Sequence, residues 1–204
     1  MPLRVYGVVM QDGQGPLKLL DGVRLHTLRD LAALIEEGDY TTRDVGEPEL
    51  KRHFDVVEGI FGQDTVLPTP VGTVFRSVDV LQRWMELHYV ALSDALAWVE
   101  NRVAARVHVG RGNDPAIERE SNSDLTVIAG EVARSLRRGA VASVPLRHDE
   151  DSGTLLSSAF LVEEALWREF DDAIADERER HPGLRITVTG PWPPYDFVRL
   201  QFGS

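Results

Sequence analysis

From Val103 onward, extended and helical patterns follow one another in the order β-α-β-β-α-β, and that order narrows the fold more than any other feature of the chain. Val103 to Val109 alternates as a strand does. Pro115 to Arg138 places Ile117, Leu125, Ile128, Val132 and Leu136 at helical spacing. Ala140 to Leu146 and Leu155 to Val162 read as strands separated by the acidic turn Asp149-Glu150-Asp151-Ser152-Gly153. Glu163 to Arg180 is a helix with the stripe Leu166, Phe170, Ala173 and Ile174, and Asp171, Asp172, Asp176, Glu177 and Glu179 are expected to face mostly outward. His181-Pro182-Gly183 stops it, and Leu184 to Thr189 is the last strand. Such an order suits a split-βαβ, ferredoxin-like sheet.

The first half reads as a separate α+β domain. Leu3, Val5, Gly7 and Val9 alternate with Arg4, Tyr6 and Val8 in a first strand. Asp21-Gly22 joins Leu17 to Leu20 and Val23 to Leu25 as a hairpin. Thr27 is positioned to cap a short helix through Leu28, Leu31, Leu34 and Ile35, ended by Gly38. A second helix runs from Pro48 to Gly62 on the stripe Leu50, Phe54, Val57 and Phe61. Ser77 caps the longest helix, Val78 to Arg102, which carries two apolar stripes. One is Val80, Trp84, Leu87, Ala91, Ala95 and Trp98; the other is Leu81, Met85, Leu92, Leu96 and Val99. Two stripes predict packing on two neighbours. The expectation is an α+β protein of two domains: residues 1–102, then a ferredoxin-like βαββαβ domain over residues 103–204.

Composition excludes several classes. The 204 residues include 33 acidic and 22 basic side chains, a net charge of −11. That balance argues against a sequence-independent nucleic-acid binder, which needs clustered cations. There is no cysteine, so disulfides, thiolate metal sites and Cys nucleophiles are out. No apolar run approaches the ~20 residues that cross a bilayer. The expectation is a cytoplasmic protein without a membrane partner.

Catalytic constellations are missing from the pattern. The six histidines, His26, His53, His88, His108, His148 and His181, form no i, i+4 pair and no His-x-His. His148 beside Asp149-Glu150-Asp151 is the best metal candidate, but the pattern reads first as a solvated turn between two strands. No nucleophile elbow, Walker loop or Gly-x-Gly-x-x-Gly occurs. Gly110-Arg111-Gly112-Asn113 lies between a strand and a helix, where backbone amides can hold an anion, but it lacks a third glycine and a phosphate-binding lysine. The reading is therefore non-enzymatic, with no cofactor and no metal.

Two segments stand out instead. Gly190-Pro191-Trp192-Pro193-Pro194-Tyr195-Asp196-Phe197 packs three prolines and three aromatics into eight residues. Prolines restrict the backbone and aromatics supply rigid apolar area, so this is a tail laid across its own domain, a contact surface, or both. Val66 to Phe75 is extended, apolar and interrupted by Pro68 and Pro70. It suits either pairing with another chain or an internal edge blunted by its prolines.

These segments resemble the gas vesicle accessory protein family GvpL/GvpF. Thr189-Gly190-Pro191-Trp192-Pro193-Pro194-Tyr195-Asp196-Phe197 is similar to that family's closing signature, and Leu67-Pro68 through Gly72-Thr73-Val74-Phe75 to its central one. Ala159-Phe160-Leu161-Val162, followed by a helix with Phe170, is similar to a third block. Thr69-Pro70-Val71 stands where the central block usually carries a basic residue and an aromatic. The resemblance implies a two-domain α+β protein that acts in gas vesicle assembly or as a minor structural component. Its implied partners are the small, very hydrophobic shell subunit GvpA and other gas vesicle accessory proteins. On that reading the apolar contacts are Leu67, Val71, Val74, Phe75, Trp192, Tyr195 and Phe197. The alternative is a small-molecule- or nucleotide-binding ferredoxin-like protein, a sensor or transferase, with Gly110-Arg111-Gly112 and Arg147 as anion contacts.

Overall fold

β1 (Leu3–Met10) is buried along almost its whole length, which requires cover on both faces. It pairs antiparallel with β3 (Leu31–Glu37) on one side and with β4 (Val66–Pro68) and β5 (Val74–Phe75) on the other. β2 (Arg24–Leu28) completes the sheet beside β3. The computed structural model describes residues 1–11, 15–40, 45–112, 121–147 and 153–198. A register shift between Val5 and Gly7 changes the parity of β1. Leu3, Val5 and Val8 therefore join Leu81, Met85, Leu92 and Leu96 of α2 (Val78–Val99) in one core. Tyr6 and Val9 join Val56, Val57 and Ile60 of α1 (Glu47–Phe61) in another.

β3 corrects a sequence expectation. The helix expected over Leu28 to Ile35 is instead the β2–β3 hairpin, turning at Arg29 with φ 56°. A strand held between two helices is apolar on both faces, so Leu31-Ala32-Ala33-Leu34-Ile35 shows no alternation. Leu17 to Leu20 likewise form no strand; the Asp21-Gly22 turn survives, with the Val23 amide donating to the Leu20 carbonyl at 3.0 Å.

The remaining elements are β6 (Arg102–Arg111), α3 (Asn122–Leu136), β7 (Ala142–Pro145), β8 (Thr154–Glu163), α4 (Trp167–Arg180) and β9 (Leu184–Trp192). They form a second antiparallel sheet in the order β7-β8-β6-β9. Ala105, Val107, Val109, Phe160, Val162 and Ile186 pack with Leu125, Val132 and Leu136 of α3 and Phe170 and Ile174 of α4. Burying each large side chain contributes about 1.5–3 kcal/mol. Glu177 departs from the outward acidic face of α4. It is buried, and its carboxylate is paired with Arg180 and lies 3.6 Å from His181.

The architecture is thus α+β with two antiparallel sheets. The chain divides into two compact units, Met1–Glu100 with Pro193–Ser204, and Asn101–Trp192. Sequence reasoning assigns residues 193–198 to the second domain, whereas they group with the first unit.

Candidate functional site

The Val66–Phe75 segment is an internal edge. β4 and β5 both pair with β1, and Thr69 is buried between them. Its hydroxyl donates to the Val5 carbonyl at 2.6 Å and its amide to the Tyr6 carbonyl at 3.0 Å. Gly7 permits this approach, because a Cβ there would stand 2.9 Å from Val66 Cγ2 and 3.0 Å from the Leu67 carbonyl oxygen. Leu67 is 0% exposed and Phe75 3%. Phe75 meets the Trp84 ring edge-on at 5.6 Å. Both belong to the core and drop out of the expected contact set, since removing them from it would cost about 2–5 kcal/mol each. Val71 and Val74 are half-buried.

The tail divides at Trp192. In the second unit Trp192 ends β9 opposite Ala104, is 36% exposed, and donates its indole N–H to Thr189 Oγ1 at 3.1 Å. In the first unit Tyr195 stacks against α1, its ring 5.6 Å from Phe54 and 6.2 Å from His53. Phe197 lies 6.2 Å from Trp98 of α2. Tyr195 and Phe197 are thus laid across their own unit with part of each ring still open.

Sequence patterning missed which faces of α1 and α2 remain uncovered. On α1 the buried row is His53, Val56, Val57 and Ile60, so Leu50 and Phe54 turn outward. Counting apolar residues alone passes over His53 and misplaces the stripe by about one position. On α2 the row Leu81, Met85, Leu92, Leu96 and Val99 is buried, together with Trp84. The other row is exposed at Val80, Leu87 and Trp98, with Leu87 reaching 81%. Among the described residues Trp98 meets the tail's Phe197, while Val80 and Leu87 stay largely exposed.

The polar groups near this surface are organised as structure. The Tyr6 hydroxyl donates to Glu36, and Arg52 binds the same carboxylate at 3.0 Å. Burial, reinforced by Glu36, pushes Tyr6 up to about 12. Burial opposes ionisation of Glu36, but Tyr6 and Arg52 outweigh it and hold the carboxyl below its usual value. A tyrosine that stays protonated beside a carboxylate that stays charged forms a fixed hydrogen bond.

His53 sits beside this group with neither ring nitrogen hydrogen-bonded among the described residues. Burial pushes it down to about 4, aided by the Arg4 charge, while the Thr69 backbone opposes the shift from outside hydrogen-bond geometry.

The Arg111 and Gly112 amides, part of the candidate anion loop, already donate to the Gly153 and Gly183 carbonyls at 3.3 and 2.9 Å. Arg147 is exposed. His148 to Asp151 and Asn113 lie outside the described residues. Among the described residues no group of three or more His, Asp or Glu could hold a metal ion, and no helix is long and apolar enough to cross a membrane.

Relatives match almost end to end. Gas vesicle protein F2 of Halobacterium salinarum is 26% identical over 215 residues, covering 99% of this chain and 94% of that protein. Gas vesicle protein F of Haloferax mediterranei is 27% identical, covering 99% and 95%. The fold is similar to the crystal structure of gas vesicle protein GvpF from Anabaena sp. PCC7120, with a TM-score of 0.81 at 15% identity over 98% of this chain and 99% of that one. GvpF from Microcystis aeruginosa gives 0.78 at 15% identity with the same coverage. The family model described as "Gas vesicle synthesis protein GvpL/GvpF" matches residues 3–126 and 111–199. The chain therefore belongs to the GvpL/GvpF family of gas vesicle synthesis proteins.

Proposed function

We propose that this chain is a non-enzymatic gas vesicle assembly factor or minor structural component that binds the hydrophobic shell subunit GvpA. It acts in the cytoplasm and at the vesicle, with other gas vesicle accessory proteins as further partners. A subunit that builds a gas-tight wall exposes apolar surface before assembly and aggregates if unescorted. A chain of net charge −11 keeps the escorted complex dispersed. The observation that carries the reading is the exposed apolar pair Val80 and Leu87 on α2, in the row that continues to Trp98 and the tail's Phe197 beside it. Contacts in this reading come from Val71, Val74, Tyr195 and Phe197 on the first unit, and from Trp192 on the second. The second unit is taken as a ferredoxin-like domain, supported by its βαββαβ order and by β6 and β8 at the centre of its sheet.

The test is co-purification of the tagged chain with the shell subunit made in the same cells. The wild type is expected to retain the subunit, and the W192S/Y195S/F197S variant, shown to be folded by thermal unfolding, to lose it. A folded triple variant with full retention removes the tail from the contact. A wild type that retains nothing contradicts direct shell binding.

A further inference from the structure

We infer that the outward face of α1 is a groove for an amphipathic helix of the shell subunit that carries Lys or Arg beside its apolar row. The inference rests on the assembly reading above and names the part of the partner that this surface accepts.

Glu47, Lys51, Phe54 and Glu58 follow one another along α1 at spacings of four, three and four residues. That spacing keeps them on one face and is the seam on which a second helix packs. Leu50, one turn before Phe54, widens the floor. Leu50 and Phe54 are 40% and 36% exposed, and with Pro48 and the flanking charged residues they line an open depression of ≈ 690 Å³. The Phe54 ring already has two aromatic neighbours within its own unit. Tyr195 meets it edge-on with an interplanar angle of 80°, and His53 does so at 88°. An aromatic held by its neighbours on an open apolar floor is the arrangement that anchors an interface.

The charge on the rim selects the occupant. Lys51 Nζ lies 2.6 Å from Asp55 Oδ2, so these two neutralise each other. Glu47 and Glu58 remain, exposed and without an ion pair among the described residues. They stand eleven residues apart, about 16 Å along the helix axis, with Leu50 and Phe54 between them. A helix with cations flanking its apolar row satisfies both carboxylates, whereas an acidic helix opposes them. A second copy of this chain brings the same two carboxylates to the groove and is disfavoured for that reason.

The closing experiment has two arms. The first is co-purification of GvpA by the wild type, by E47K/E58K and by L50S/F54S, with E47Q/E58Q as the milder variant should a lysine disturb the first turn of α1. All these positions are exposed, and folding is checked by circular dichroism and thermal unfolding. The expected result is retention by the wild type and at least tenfold less by the folded groove variants. Undiminished retention by a folded charge-reversed variant overturns the groove and leaves the assembly reading standing. No retention by the wild type counts against the assembly reading, and the second arm then decides the groove. Two synthetic helix-forming 18-residue peptides, each with a leucine row flanked by lysines in one and glutamates in the other, are titrated into the full chain. At least tenfold preference for the lysine peptide, lost in E47K/E58K and weakened by salt, supports the groove. Equal binding of the two peptides overturns it.

Discussion

At His53 a single buried imidazole couples the tail to the stability of the first unit. It lies 5.6 Å from Tyr6 and 6.2 Å from Tyr195, is fully buried, and is held near a value of 4 by burial. In the unfolded chain a histidine titrates near ~6.5. Between about pH 6.5 and 4 the unfolded chain therefore binds a proton that the folded chain refuses, so stability falls as pH falls through that window. The full loss is on the order of 3 kcal/mol. Urea unfolding at pH 7 and pH 4.5 should show it, and His53→Leu should remove most of the difference; an unchanged pH dependence in that variant would place the sensitivity elsewhere. Gly7 is the second decisive residue. Gly7→Ala drives a methyl into the Val66 side chain and the Leu67 carbonyl, and should cost about 1–3 kcal/mol. None of this was legible in the sequence, because Tyr6, His53, Val66 and Tyr195 meet only after the sheet has formed.

Among the elements, the clearest failure of periodicity is β3. α2, α4 and the strands of the second sheet were legible to within a few residues, as was the described part of α3, whose expected start at Pro115 lies outside the described residues. β3 was misread as helix because strand and helix templates both fit a short apolar run buried on two sides. α1 was placed correctly but its buried face was shifted, since a histidine occupies a core position. The two rows of α2 make the energetic contrast testable. Met85→Ala, at a fully buried position, should cost about 2–5 kcal/mol in urea unfolding. Leu87→Ser, on the exposed row, should change stability by no more than about 0.5 kcal/mol. A large loss at Leu87 would mean that this row is covered in the folded protein.

For the whole molecule, the family was legible from the Pro-aromatic tail and the central Leu67–Phe75 block, while the roles of those residues were not. Leu67 and Phe75 are buried at the sheet edge, whereas α1 and α2 carry exposed apolar side chains. The central claim is that the chain covers the apolar surface of the shell subunit before assembly, and sedimentation of that subunit tests it most directly. GvpA would be diluted from denaturant with and without an equimolar amount of this chain, and the soluble fraction measured after centrifugation. The account predicts that GvpA stays in the supernatant with the chain present and pellets without it. Equal pelleting in both samples, with the chain itself folded and soluble, would contradict the account.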